Sequence, residues 1–381
     1  MSKKPSVILL KSNFFSGAGL EKYARNIAKT FCDKGCSVTV LTTGKIPEGP
    51  PAPLFNLVSF EINKILSVQR VAAFDKLCAE YLEQHQAPII FSLDRNRFQT
   101  HLRLGNGVHA AYLQHRKKSE SWLKNWSFSL NPLHRTILKL EKTALANPDL
   151  KLLITNSNMV KEEVLQYYAT DPAKIKVLHN GVEWHAMQSD FDAWPQTRRD
   201  FANSLQIDPD VFHFLFAGNN FRRKGLDHLL KALFVLKDKN FHLSVIGNDK
   251  NKRAFEALTE KLNLRSRVTF FGPRSDTRSF YQLADAVIIP SLYDPFANVT
   301  VEALAMGLFV VSSKTNGGHE ILHKGNGAVI EQLDNPEAFA ECLRTALIKP
   351  KTKESASSIR ASVKHMDFSL QLDHLTSLCL P

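Results

Sequence analysis

FHFLFAGNNFRRKGLDHLLKALFVLKDKNFHLSVIG, residues 212–247, decides the fold. Phe212 to Ala217 reads as a strand, Gly218 to Gly225 as a loop, Gly225 to Lys237 as a helix, and Phe241 to Ile246 as a second strand closing at Gly247. A strand that turns through glycine into a helix and returns to another strand is the repeating unit of a parallel sheet covered on both faces. Downstream the alternation continues: helix Lys252–Leu262, strand Val268–Phe271 closing at Gly272, helix Thr277–Leu283, strand Ala286–Ile289, helix Thr300–Met306 and strand Phe309–Ser312. Upstream lies a similar series. Strand Val7–Lys11, a loop Phe15-Ser16-Gly17-Ala18-Gly19, helix Leu20–Lys34 and strand Ser37–Leu41 come first. Strands at Ile89–Ser92, Leu152–Thr155 and Lys176–Leu178 follow, with a helix over Asn158–Tyr168. Pro47 to Pro53, with four prolines in seven positions, cannot be helical and reads as an exposed loop. Between the two series, Val182 to Asp210 has weak periodicity and several tryptophans, prolines and aspartates, and is expected to be the hinge between domains.

Composition agrees with two α/β domains. The chain has 381 residues, more than one hydrophobic core usually serves, with 44% hydrophobic and 23% charged residues. The apolar run Val7–Leu10 is too short for a signal-peptide core, and no later run approaches the roughly 20 residues of a membrane span, so a cytoplasmic location is expected. Five scattered cysteines give no disulfide framework, and Cys32 and Cys36 are expected to flank a helix end and a strand start. The net charge is +12 and calls for an anionic partner: nucleic acid, a membrane surface or a phosphorylated substrate. Between Arg95 and Lys142, Arg95, Arg97, Arg103, Arg116, Lys117, Lys118, Lys124, Arg135, Lys139 and Lys142 far outnumber Glu120 and Glu141, with Trp122, Trp126 and Phe128 among them.

Two constellations carry chemistry. Arg222, Arg223 and Lys224 stand between a strand end and a helix start, the edge at which open α/β sheets bind ligands, so a diphosphate is one reading and a solvated basic turn the other. Asp294, before Pro295, belongs to a loop, whereas Glu302 lies in the helix that the loop enters. A carboxylate near a helix start is also an ordinary dipole partner. Asp190-Phe191-Asp192 and Asp208-Pro209-Asp210 have the form of a metal-binding pair, but both fall in the expected hinge rather than at a sheet edge, so no metal is expected.

Taken in order, Gly-Ala-Gly-Leu-Glu (17–21), Lys-Ile-Lys-Val-Leu-His-Asn-Gly-Val-Glu (174–183), Arg-Lys-Gly-Leu-Asp (223–227), Phe-Phe-Gly (270–272), Asp-Pro-Phe-Ala-Asn-Val-Thr-Val-Glu-Ala (294–303) and Gly-Gly-His-Glu-Ile (317–321) resemble the family-4 retaining glycosyltransferases across nearly the whole chain. The resemblance implies the GT-B architecture, two Rossmann-like domains facing across a cleft with the final helix returning to the first. Residues 1–183, with 366–381 packing back, would form the acceptor-side domain and 184–365 the nucleotide-sugar domain. It gives Lys224, helped by Arg223, to the donor diphosphate, and Glu302 to the donor ribose. Asp294, where most members carry glutamate, would lie near the sugar, along the stretch Phe296, Ala297 and Asn298. Ala18 and Gly19 correspond to a phosphate-facing loop usually made of two glycines, and the backbone after Gly272, with Arg274, to the loop that reads the base. His109, after Gly105 and Gly107, resembles the family's cleft histidine; His115, His179 and His319 are weaker candidates.

The implied reaction moves a hexose, glucose from UDP-glucose, to a hydroxyl acceptor with retained configuration, through a same-face, short-lived ion pair, with no cofactor and no metal. Within the family the likeness is to lipopolysaccharide core glucosyltransferase I, through Tyr293 to Asn298 and Asn219 to Asp227. That implies a lipid-linked or saccharide acceptor and an anionic membrane surface at the cytoplasmic face of the inner membrane, and no nucleic acid. A basic nucleic-acid-binding protein is the rival class. Against it, the basic stretch carries no aromatic stacking motif of a known nucleic-acid module and no zinc-ligand spacing. An epimerase or phosphorylase of similar architecture is a third possibility, although no cofactor-lysine motif is present.

Overall fold

The computed structural model describes residues 5–15, 19–44, 54–64, 66–119 and 130–380. The chain divides into two compact units, Met1–Leu178 with Gln371–Pro381, and His179–Leu370. The loop Pro47–Pro53, Ala18, Trp122, Lys124, Trp126 and Phe128 lie outside the described residues.

In the first unit, in chain order, are β1 (Ser6–Asn13), α1 (Gly19–Asp33), β2 (Ser37–Thr43), β3 (Asn56–Phe60), α2 (Ser67–Gln84), β4 (Ile89–Ser92), β5 (His101–Leu104), α3 (His109–Ser119), α4 (Pro132–Leu145), β6 (Leu152–Thr155), α5 (Asn158–Tyr167) and β7 (Ile175–Val177). They form a seven-stranded sheet in the order β3-β2-β1-β4-β5-β6-β7. Every pairing in it is parallel. Leu9, Leu10, Val40, Phe91, Leu153 and Ile154 are fully buried, as expected of strands covered on both faces. Cys32 lies in the last turn of α1 and Cys36 immediately precedes β2, as expected.

The second unit holds α6 (Gln188–Ser204), β8 (Phe212–Ala217), α7 (Leu226–Val235), β9 (Phe241–Ile246), α8 (Lys252–Lys261), β10 (Val268–Gly272), α9 (Thr277–Leu283), β11 (Ala286–Ile289), α10 (Asn298–Ala305), β12 (Phe309–Ser313), β13 (Gly327–Ile330), α11 (Pro336–Leu347) and α12 (Lys353–Ser362). Its sheet runs β10-β9-β8-β11-β12-β13, again all parallel. The last helix, α13 (Phe368–Cys379), belongs from Gln371 onwards to the first unit. In both sheets the strand order reverses between the first and fourth strands, β1/β4 and β8/β11, and open α/β sheets bind ligands outside the carboxyl ends of the strands at such a switch point.

One expectation fails outright. Val182–Asp210 is not an irregular hinge: its centre is the 17-residue helix α6. Phe191, Trp194 and Ala202 bury one face of it, while Pro195 and the aspartates on the exposed face hide the helical period from a sequence reading. Strand β5 is also invisible in the sequence, because His101 and Arg103 break its apolar pattern, yet all four residues are buried. The His101 imidazole contacts the Thr100 hydroxyl at 2.8 Å, and the Arg103 guanidinium stacks 4.6 Å from the centroid of Tyr23.

Two buried imidazoles face each other across β8 and β9, where His213 and His242 are register partners with ring centroids 6.2 Å apart. Burial, above all, lowers both to about 4, His213 being held down further by Arg198 and His242 by His213. Both are neutral in the folded protein and charge in the unfolded chain below about 6.5, so folding stability is complete above that pH and is lost as the pH falls towards 4. Each contributes on the order of 1 kcal/mol per pH unit across that window. Calorimetric melts between pH 7.5 and 5 should therefore fall steeply for the wild type and less steeply for a His213→Leu/His242→Leu variant; parallel slopes would assign the acid sensitivity elsewhere.

Candidate active site

At the switch point of the second sheet, the loop leaving β8 meets the loop leaving β11. Gly225 makes the approach possible. It has φ +75°, and a Cβ there would sit 1.9 Å from the Pro290 carbonyl oxygen, so no other residue fits. Leu292 N–H donates to the Arg223 carbonyl at 2.9 Å, joining the two loops. The β12 loop is tied in by Asp294, which donates its N–H to Thr315 O and accepts from Gly317 N–H, both at 2.9 Å. Asn316, fully buried, completes the junction: Oδ1 accepts from Ala297 N–H at 2.9 Å and Gly318 N–H at 3.2 Å, and Nδ2 donates to Ser312 Oγ at 2.9 Å and Thr300 Oγ1 at 3.1 Å.

This junction brings Lys224, Arg223 and Asp294 together. Lys224 Nζ lies 2.7 Å from Asp294 Oδ2 and Arg223 Nη1 lies 3.4 Å from it; Arg223 Nη1 also donates to Tyr293 O at 3.2 Å. Lys224 is not an exposed loop lysine, since its side chain is 13% exposed. The N–H groups of Lys224, Gly225 and Leu226 already donate to Asn220, Arg222 and Phe221 carbonyls, so these three amides are not available to an anion.

Glu302 sits one turn into α10, as the sequence predicts. Its Oε2 accepts from the Tyr281 hydroxyl at 2.8 Å. Burial raises its pKa, against which the Tyr281 hydrogen bond and Arg278 act, while Glu183 adds to the rise. Phe296 and Ala297 are 4% exposed and pack into the core of the unit, whereas Asn298 is exposed and accepts from Asn180 Nδ2 at 2.8 Å. Asn180 also donates to Phe296 O at 3.3 Å, and His179 Nε2 meets Glu320 Oε2 at 3.0 Å. His319 Nδ1 contacts its own turn at Asn316 O. Gly272, at φ +73°, accepts from Gly247 N–H at 2.8 Å. Arg274 pairs with Asp276 through Nε and Nη2, at 2.8 and 2.6 Å.

The remaining candidates lie in the first unit. Gly19 opens α1. His109 opens α3, where its N–H donates to the Glu141 carboxylate at 2.9 and 3.0 Å. Its Nε2 contacts His134 Nδ1 at 3.1 Å. Burial, then Arg95, lowers His109 to about 4, leaving it neutral near pH 7. Glu141, fully buried, also takes Arg95 Nε at 2.6 Å and the Tyr168 hydroxyl at 2.6 Å. It is the hub of this cluster, and the sequence shows it only as one acid in a basic stretch. At the switch point of this sheet, residues from the ends of β1 and β4, including Asn13, Asp94 and Arg95, line a cavity of about 1160 Å³ with Phe74, Ile137 and Leu140.

Part of the basic stretch is already paired or buried: Arg95 pairs with Glu141, Arg97 with Asp75, and Arg103 is buried. Arg135, Lys139 and Lys142 instead share one exposed face of α4. The acidic Asp190 lies in α6 and pairs with Arg278 at 2.6 Å, and Asp210 pairs with Arg199 at 2.7 Å. Among the described residues no group of three or more metal-ligating side chains comes together, and no described helix is long and apolar enough to cross a membrane.

Two Rossmann-like units of this build define the GT-B fold. Residues 17–184 match the model for Glycosyltransferase Family 4, and residues 197–362 match the model for Glycosyl transferases group 1. The chain belongs to the family-4 glycosyltransferases and is a glycosyltransferase. It is 26% identical to the lipopolysaccharide glucosyltransferase WaaG of Escherichia coli over 88% of this chain and 87% of that one. The crystal structure of WaaG, a glycosyltransferase involved in lipopolysaccharide biosynthesis, superposes with a TM-score of 0.75 at 22% identity, covering 98% of this chain and 99% of that one. An uncharacterised glycosyltransferase of Methanocaldococcus jannaschii is 33% identical over 49% of this chain, which spans about half (48%) of that relative. Anabaena HepE, solved with UDP-glucose, superposes with a TM-score of 0.65 at 18% identity, over 98% of each chain.

Proposed function

We propose that this glycosyltransferase moves glucose from UDP-glucose to a hydroxyl of the lipopolysaccharide core, with retained anomeric configuration and without a metal or cofactor. The observation that carries the reading is the Lys224–Arg223 cation pair, held at the sheet's switch point against the single carboxylate of Asp294. A diphosphate brings more negative charge than that carboxylate and displaces or shares it. As the bond to the sugar breaks, charge develops on the leaving diphosphate, and two preorganised cations lower the barrier electrostatically. Glu302 accepts the ribose hydroxyls, Asp294 and the backbone of Phe296 to Asn298 lie towards the sugar, and the turn from Gly272 to Arg274 reads the base. His109, neutral near pH 7, offers a hydrogen-bonding group in the first unit. WaaG supports the acceptor class and HepE the donor. The large cavity beside Asp94 and Arg95, lined by both apolar and polar side chains, suits a saccharide acceptor. Incubation with a panel of UDP-, GDP- and ADP-sugars and a core saccharide, followed by nuclear magnetic resonance of the product, tests the reading. An α-linked glucoside formed from UDP-glucose supports it, and an inverted product or exclusive use of another nucleotide refutes it.

Docking at an anionic leaflet belongs to the same proposal. Arg135, Lys139 and Lys142 on the outer face of α4 would each contribute on the order of 1 kcal/mol near such a surface. Affinity for phosphatidylglycerol vesicles, read by co-sedimentation, should fall on the order of a hundredfold or more in an Arg135/Lys139/Lys142→Glu variant, and should weaken in high salt. Binding that ignores both would remove this face from the mechanism.

A further inference from the structure

Glu302 does not stand alone in its fold: the hydroxyl that meets its carboxylate comes from a different helix. Tyr281 lies on α9 and is 2% exposed, its ring packed into the core of the unit and its hydroxyl 2.8 Å from Glu302 Oε2. The backbone behind it is anchored. Lys351, 7% exposed, donates Nζ to the Tyr281 carbonyl at 3.1 Å, and its N–H donates to Asp285 Oδ1 at 3.0 Å. Asp285 in turn is gripped by Arg198 through both guanidinium nitrogens at 2.8 Å and accepts His213 N–H at 2.8 Å. A rigid, buried chain of contacts thus ends in a hydroxyl aimed at one oxygen of Glu302.

We propose that Tyr281 is a positioning residue for the donor: by holding Oε2, it fixes the carboxylate plane so that Oε1 faces the nucleotide ribose, and it keeps Glu302 ionised as the acceptor of ribose hydroxyls. The inference rests on the reading that Glu302 contacts the ribose. The bland role, a core tyrosine finding an acceptor, concerns folding alone and does not touch ligand affinity. Positioning makes a different demand. A carboxylate that has lost a hydrogen bond in a shielded site is both less oriented and easier to protonate. The charged groups that act on Glu302 are Arg278, which favours its ionised form, and Glu183, which opposes it. Lys351, brought down to about 7 by burial and then by Arg198, titrates nearby but is the same in every variant, so comparison at equal pH removes it.

Calorimetric titration of UDP into the full-length wild type, Tyr281→Phe, Glu302→Gln and the double variant, at pH 6 and pH 8, tests the proposal. Tyr281→Phe keeps the ring and is expected to weaken binding about tenfold at pH 8 and more at pH 6, since the unassisted carboxylate is protonated at higher pH. In the Glu302→Gln background the added Tyr281→Phe should cost less and show no pH dependence. Unchanged affinity and pH profile in Tyr281→Phe, alongside weakened binding in Glu302→Gln, would overturn the positioning role and leave the ribose reading intact. Unchanged affinity in Glu302→Gln at both pH values would overturn both.

Discussion

Replacing Lys224 with alanine is expected to lower turnover at saturating donor roughly a hundredfold, about 3 kcal/mol of lost stabilisation of the leaving diphosphate. The ammonium stands 2.7 Å from Asp294 Oδ2 in a largely buried site, where a charge acts more strongly than in water. The same burial means that the substitution also affects folding: Asp294 keeps only the more distant Arg223 cation, so the melting temperature should fall somewhat. A Lys224→Ala/Asp294→Asn variant removes the orphaned charge and should recover stability without recovering turnover. Steady-state kinetics beside calorimetric melts separate the two effects. Near-wild-type turnover in folded Lys224→Ala would refute the diphosphate role.

Glu302→Ala is expected to weaken UDP binding on the order of thirtyfold, about 2 kcal/mol for a carboxylate that accepts two ribose hydroxyls. Glu302→Ala also strands the Tyr281 hydroxyl in a site where it is 2% exposed, so part of the loss will appear in stability, and Glu302→Gln, which keeps an acceptor, serves as its control. Because burial raises the Glu302 pKa, wild-type affinity should begin to fall on acidification at a higher pH than an ordinary carboxylate would give, and the Gln variant should lack that fall. Titration calorimetry reads both. Equal affinity for wild type and Glu302→Ala would reduce the glutamate to a partner of Tyr281.

The elements that build the carboxyl edge of the second sheet were legible because their signals are local. Ala286–Ile289 is a short apolar run, the loop from Gly218 to Gly225 is announced by its glycines, and Pro295 separates the Asp294 loop from the helix carrying Glu302. What stayed hidden depends on groups distant in sequence. Nothing near Glu302 marks Tyr281, twenty-one positions earlier, as its partner, and Asn316 reads as one more turn asparagine until its amide is seen holding Ala297, Gly318, Thr300 and Ser312. Arg103 conceals β5 because its burial is made tolerable by Tyr23, eighty positions earlier. The loop from Arg222 to Lys224 was legible as cationic but not as preneutralised, since the pairing of Lys224 with Asp294 spans 70 positions.

The most direct measurement is a crystal structure of the protein with UDP bound. The diphosphate is expected within hydrogen-bonding distance of Lys224 Nζ and the Arg223 guanidinium, with Asp294 moved off or sharing the ammonium and the ribose hydroxyls on Glu302. A diphosphate seated away from Lys224, with the Lys224–Asp294 pair intact at 2.7 Å, would contradict it.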